Sequence, residues 1–175
     1  INTASSSGPF LNKLSASNRV VVTATRSGHE QNFTRFGAGL AEALSTPQSD
    51  LDEDGQTSLL EAFLTASHRV AGFYQTEGRI ATEHALIDDN GDGLGTPADW
   101  FRGVQAIKKP QAGSSADGIR AHQMCLVRSS AELALAPAVR ARRDALELAL
   151  ARLRETKSGQ TEDDYYRKLE KLLIE

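Results

Sequence analysis

Asn18–Thr25 reads N-R-V-V-V-T-A-T, and the fold class turns on it. The valine run is too short for a helix and lacks polar alternation. It predicts a strand covered on both faces, of the kind found in a parallel α/β sheet. Upstream, Ile1-Asn2-Thr3-Ala4 reads like the end of another strand, and Pro9 to Leu14 suits a short helix. Strand end, helix and strand in that order predict one βαβ crossover. Downstream, Phe33, Phe36, Leu40 and Leu44 lie along one side of a helix over 33–44, which Ser45-Thr46-Pro47 ends.

Two acidic loops follow. Asp50 to Glu61 reads D-L-D-E-D-G-Q-T-S-L-L-E, a full match to the twelve-residue EF-hand calcium loop. A hard dication takes six to eight oxygens. Asp50, Asp52 and Asp54 hold positions 1, 3 and 5, and Gln56 offers its backbone carbonyl at position 7. Ser58 acts at position 9, directly or through water, and Glu61 is bidentate at position 12. Gly55 takes the sharp turn at position 6. Asp88 to Asp99 reads D-D-N-G-D-G-L-G-T-P-A-D. Here Asp88, Asn90, Asp92, the Leu94 carbonyl, Thr96 and Asp99 fill the same positions. Asp99 is the shorter acid at position 12. Gly95 stands at position 8, where a large apolar residue would make the strand pairing of an EF-hand pair. The expected cofactor is therefore Ca2+ at two loops.

The rest of the pattern is mostly helical. Thr57 to Tyr74 is the longest helix of the first half, with Leu60, Phe63, Leu64, Val70, Phe73 and Tyr74 apolar and Gly78 at its end. Ile80 to Ile87 is expected to be helical too. Trp100 and Phe101 are expected to plug the core beneath the second loop. Residues 108–118, rich in Pro, Gly and Ser, read as a linker. From Ile119 onward Leu135, Val139, Leu146, Leu150 and Leu153 recur at helical spacing, and Gly159 stops the run. Thr161 and Asp164 form a capping box, and Tyr165, Leu169, Leu172 and Leu173 mark a second helix. The expected organisation is an α/β part over 1–107, a linker over 108–118 and a helical hairpin over 119–175. The unfinished patterns at Ile1 and Glu175 suggest part of a longer protein.

The 175 residues carry a net charge of −3, unevenly spread. Residues 50–99 hold eleven acidic residues against two basic ones, a local charge of −9 that bound cations would offset. No basic patch with interleaved aromatics occurs, which argues against a nucleic-acid partner. No apolar run reaches membrane-spanning length. The single cysteine, Cys125, excludes an internal disulfide and reads as a buried helical thiol.

Thr3-Ala4-Ser5-Ser6-Ser7-Gly8 with Phe10-Leu11, then Asn18 to Thr25, then Arg26-Ser27-Gly28-His29-Glu30-Gln31-Asn32-Phe33, resemble the caspase/legumain-like cysteine peptidases of bacterial type. The resemblance covers residues 1 to about 103 and leaves the helical hairpin unexplained. It implies a caspase-like parallel sheet with flanking helices. In that family an Asp-Ala-Cys-x-Ser-Gly turn presents the nucleophilic Cys. Setting Ser7-Gly8 on the Ser-Gly puts Ser5 at the nucleophile position and Thr3 where the Asp stands. The family's catalytic His lies on an earlier strand than any here, and His29, His68, His84 and His122 all follow Ser5. The expectation is a calcium-binding, catalytically silent portion of such a peptidase homologue, with a cleft suited to a peptide or protein. The alternatives are an EF-hand-type binding module, or an active peptidase using Ser5 and an upstream base. Weak calcium sites suit the millimolar calcium of an extracytoplasmic setting.

Overall fold

The computed structural model describes residues 1–109, 111 and 114–174. In chain order they form α1 (Gly8–Leu14), β1 (Val21–Thr23), α2 (Phe36–Leu44), β2 (Thr57–Ser58), α3 (Leu59–Thr76), β3 (Leu86–Asp88) and β4 (Thr96–Pro97). There follow β5 (Phe101–Arg102), β6 (Gln105–Ala106), α4 (Ile119–Gln123), β7 (Cys125–Val127), α5 (Ser130–Ala134), α6 (Pro137–Glu155) and α7 (Glu162–Ile174). The chain is mixed α/β and divides into two units, Ile1–Ser129 and Ser130–Glu175.

The valine strand is buried at all three of its residues. Its parallel pairing is a single bridge, Asn2 to Thr23, with Asn2 N donating to Val22 O at 2.8 Å and Ala24 N to Asn2 O at 2.9 Å. That bridge and α1 give the expected strand-helix-strand order. The other side of β1 is antiparallel to β3, with Val22 opposite Ile87, and β3 is antiparallel to β4. The named sheets are thus small and antiparallel, and the described residues show no parallel caspase-like sheet.

The segment expected to be helical over 80–87 is irregular up to residue 85 and then enters β3, and Ile80 is exposed. The physical reason is Glu83. Its carboxylate is buried and accepts the backbone N–H groups of Arg35 (2.9 Å) and Phe36 (3.0 Å), capping α2 from 47 residues away. Tyr74 hydroxyl also donates to it at 3.2 Å. A helix over 80–87 would withdraw this cap. Phe33 lies outside α2 and is largely exposed, so that helix starts later than its apolar spacing predicts.

The core sits between α2 and α3. Phe36 meets Phe63 edge-on with centroids 6.0 Å apart, and Leu40, Ala43, Leu60, Ala66 and Val70 complete it. β1 and Ile87 close one side, and Phe101 packs against it from the second loop's exit, as expected, whereas Trp100 is not among the residues packed on this core.

The first unit extends past the expected linker. Pro110, Ala112 and Gly113 of that linker lie outside the described residues. Asp117 and Ala121 beyond them are buried, and β7 pairs with β2. Cys125 is therefore a half-buried strand residue rather than a helical one.

In the second unit, α6 and α7 pack as a hairpin around Leu153 and Tyr165. Thr161 Oγ1 accepts Asp164 N at 3.3 Å, the expected cap of α7. Glu132 of α5 receives Arg143 of α6 at 2.6 Å. No helix among the described residues is long and apolar enough to cross a membrane.

Candidate metal centres

The first loop leaves a one-turn 3-10 helix, Pro47–Ser49, and enters β2 and α3. Its turn places Glu53 at φ 60° and Gly55 at φ 81°, positions 4 and 6. Asp50 folds inward, accepting Asp54 N at 3.0 Å and Gly55 N at 2.8 Å. Asp54 accepts Gln56 N at 2.8 Å. One carboxylate oxygen from each of Asp50, Asp52 and Asp54 lies within 4.8 Å of the others. At neutral pH that places three negative charges within a space one ion would fill.

Glu61 at position 12 is 1% exposed and does two jobs. It accepts Leu51 N (position 2) at 2.7 Å and the hydroxyl of Ser58 (position 9) at 2.8 Å. With Ser58 it also forms the capping box that starts α3: Glu61 N donates to Ser58 Oγ, and Ser58 N to Glu61 Oε2. Loop closure and helix initiation therefore share one carboxylate.

The second loop repeats this network. Gly91 (φ 82°) and Gly93 (φ 75°) hold positions 4 and 6. A Cβ at Gly91 would stand 2.7 Å from the Ala16 backbone, so only glycine fits there. Asp88, fully buried, accepts Gly91 N at 2.9 Å and Gly93 N at 3.2 Å, and Asp92 accepts Leu94 N at 2.7 Å. Asn90 accepts Asp92 N at 2.8 Å. Asn12 of α1 anchors the loop by donating to Gly93 O at 2.8 Å.

The position-12 role is where the loops differ. Asp99 sits exposed in a 3-10 turn, Ala98–Trp100. Asp117, eighteen residues later, makes the contacts that Glu61 makes in the first loop. It accepts Asp89 N (position 2) at 3.0 Å and the Thr96 hydroxyl (position 9) at 2.5 Å. Its neighbour Asp89 accepts Ala121 N at 2.9 Å. Burial pushes the Asp117 carboxyl up to about 7, against the opposing hydrogen bonds from Thr96 and Asp89, and burial raises Asp89 as well. Read as a sequence, Asp117 is a lone acid in a Gly/Ser-rich stretch, and no spacing rule points to it.

The two loops do not pair strand to strand. β2 of the first takes β7, and β4 of the second returns on β3. Gly95 allows this close return, because a Cβ there would lie 2.6 Å from Leu11 and 2.8 Å from Leu86.

These residues fit a hard dication in the first loop. Besides the three aspartates, Gln56 Oε1 is buried with no hydrogen-bond donor, while its amide nitrogen donates to Asp54 at 3.0 Å. An acceptor-rich pocket with an orphaned oxygen is chemically suited to a cation. Asp50, Asp52, Asp54, Ser58, Glu61 and the Gln56 carbonyl would hold it. In the second loop Asp88, Asn90, Asp92, Thr96 and the Leu94 carbonyl remain, with Asp117 placed where the closing acid belongs.

Ser5 lies in the turn before α1, with Ser6 at φ 55°. Its hydroxyl donates to Asn32 O at 2.7 Å. Ser7 is buried and locked to Thr25, whose N–H it accepts at 3.1 Å. His84 Nδ1 is held by Glu30 at 2.5 Å, and His68 is exposed on α3. No protein-family model matches the chain, nor does any curated protein or any solved structure.

Proposed function

We propose that Ile1–Ser129 is a calcium-stabilised, catalytically silent portion of a caspase/legumain-like peptidase homologue, which binds a peptide or protein rather than cutting it. The supporting observation is the repeated network. In both loops the position-1 carboxylate gathers the loop amides, and one buried acid ties position 2 to position 9. Two unrelated stretches of chain thus reach the same arrangement of oxygens. Bound calcium would supply the positive charge that offsets these carboxylates, held by the loop that leads into α3 and by the loop between β3 and β4. The Asn2–Thr23 bridge is, in this reading, the edge of the family's parallel sheet.

Silence at Ser5 follows from its surroundings. A serine needs a base to take its proton. Its hydroxyl here donates to a backbone carbonyl, which is no base at neutral pH, and among the described residues no histidine nitrogen is hydrogen-bonded to it.

Calorimetric titration with Ca2+ tests the reading: two equivalents bind, Asp50→Ala removes one and Asp88→Ala the other. Absence of calcium binding refutes the metal part. Incubation with Asn- and Asp-containing peptides tests the silence, and turnover abolished by Ser5→Ala would restore the active-peptidase alternative.

A further inference from the structure

The first loop is also met by a nitrogen ligand from outside it. His122, on α4, brings Nε2 to 2.9 Å from Asp52 Oδ2. One ligand atom from each of His122, Asp52 and Glu61 lies within 4.8 Å of the other two. The backbone sets this placement on both sides. Ala121 N donates to Asp89 at 2.9 Å, His122 N to Gly118 O at 2.8 Å, and Leu59 N to Met124 O at 2.9 Å. The imidazole is therefore carried to the loop by fixed main chain, not by the ion pair alone. In the same loop Gln56 Oε1 is a buried atom without a hydrogen-bond partner.

Calcium is a hard ion that takes oxygen donors, whereas imidazole with carboxylates suits zinc and its first-row neighbours. We propose that the first loop takes a zinc-class dication through His122, Asp52 and Glu61, in competition with calcium. The inference rests on the reading of this loop as a metal site. Competition follows because Asp52 and Glu61 serve both ions, while the geometries differ. Zinc draws about four ligands to roughly 2.0–2.2 Å. Calcium spreads six to eight oxygens at about 2.3–2.6 Å. Asp50 and Asp54 would be released from the ion in the zinc form.

The test uses the full chain, freed of metal, with Zn2+ and Ca2+ as separate titrants and Co2+ as a spectroscopic stand-in for zinc. Zinc is expected to bind the first loop, to be weakened by added calcium, and to shift the His122 ring resonances in the NMR spectrum. His122→Gln is expected to weaken zinc about 10–100-fold and abolish the visible Co2+ band. His68→Gln, at an exposed α3 position, is expected to leave both unchanged. Failure of zinc to bind, equal binding by His122→Gln, or an unshifted His122 ring in the wild-type chain overturns the proposal. The ring measurement decides if the variant does not fold. Calcium binding without His122-dependent zinc binding removes this inference alone. His122-dependent zinc binding without calcium binding removes the calcium reading and the competition, and leaves the zinc site itself standing.

Discussion

Glu53 and Asp117 each hold an unfavourable state that the loops around them enforce. Glu53 sits in the left-handed region at φ 60°, where its counterpart in the second loop is Gly91. Glu53→Gly is expected to stabilise the metal-free protein by about 1 kcal/mol, read from urea denaturation. Asp117 is raised from its ordinary 3.8 to about 7 by burial. A group raised on folding contributes stability that is complete below its unfolded value and is lost as pH rises through the folded one. The metal-free protein is therefore expected to be more stable at pH 5 than at pH 8. Asp117→Asn, which keeps the shape without the charge, is expected to flatten that slope. Thermal melts in chelator across this range check it. Stability rising with pH, unaltered in the variant, would contradict the burial argument.

Elements here begin and end where distant carboxylates place them. α2 has no side-chain cap from its own N-cap residue Arg35 and relies on Glu83. Glu83→Ala would leave the buried Phe36 N–H, the part-buried Arg35 N–H and the Tyr74 hydroxyl without this acceptor, so a loss of about 2–3 kcal/mol is expected in denaturant unfolding. Glu83→Gln should recover part of it, since one amide oxygen remains. The same fact explains what the sequence made legible. α3 was readable because its apolar residues stand at helical spacing. The strand at Val21–Thr23 was readable because three β-branched residues in a row have few other uses. The 80–87 segment was not, because its shape is set by a contact 47 residues away. The parallel pairing at Asn2 was readable in kind, but its extent is one bridge, and the antiparallel partner β3 left no local mark as a strand. Of the loop residues named from sequence, Asp50, Asp54, Glu61, Asp88, Asn90 and Asp92 accept loop backbone N–H groups, whereas Asp99 is exposed and Asp117, just before α4, makes the contacts that Glu61 makes in the first loop.

Across the first unit, α4 links the two acidic loops. Ala121 holds Asp89 of the second loop and His122 reaches Asp52 of the first. With β7 laid on β2, the 119–127 segment clasps both loops to the α2–α3 core. Residues 50–99, which include both loops, carry a local charge of −9. On the proposed reading, cations bound at the two loops would offset this charge. Ligand bound only by the folded state stabilises it by about 2.7 kcal/mol at a hundredfold excess over Kd. For a chain of this size each kcal/mol moves Tm by roughly 2–4 °C. The most direct measurement is therefore thermal unfolding of the full chain in chelator and in saturating calcium, with Asp50→Ala and Asp54→Ala alongside. A rise in Tm of roughly 5–10 °C in calcium, reduced in both variants, is the predicted result. An unchanged Tm, with the variants behaving as the parent, would contradict the claim that these loops are built around a cation.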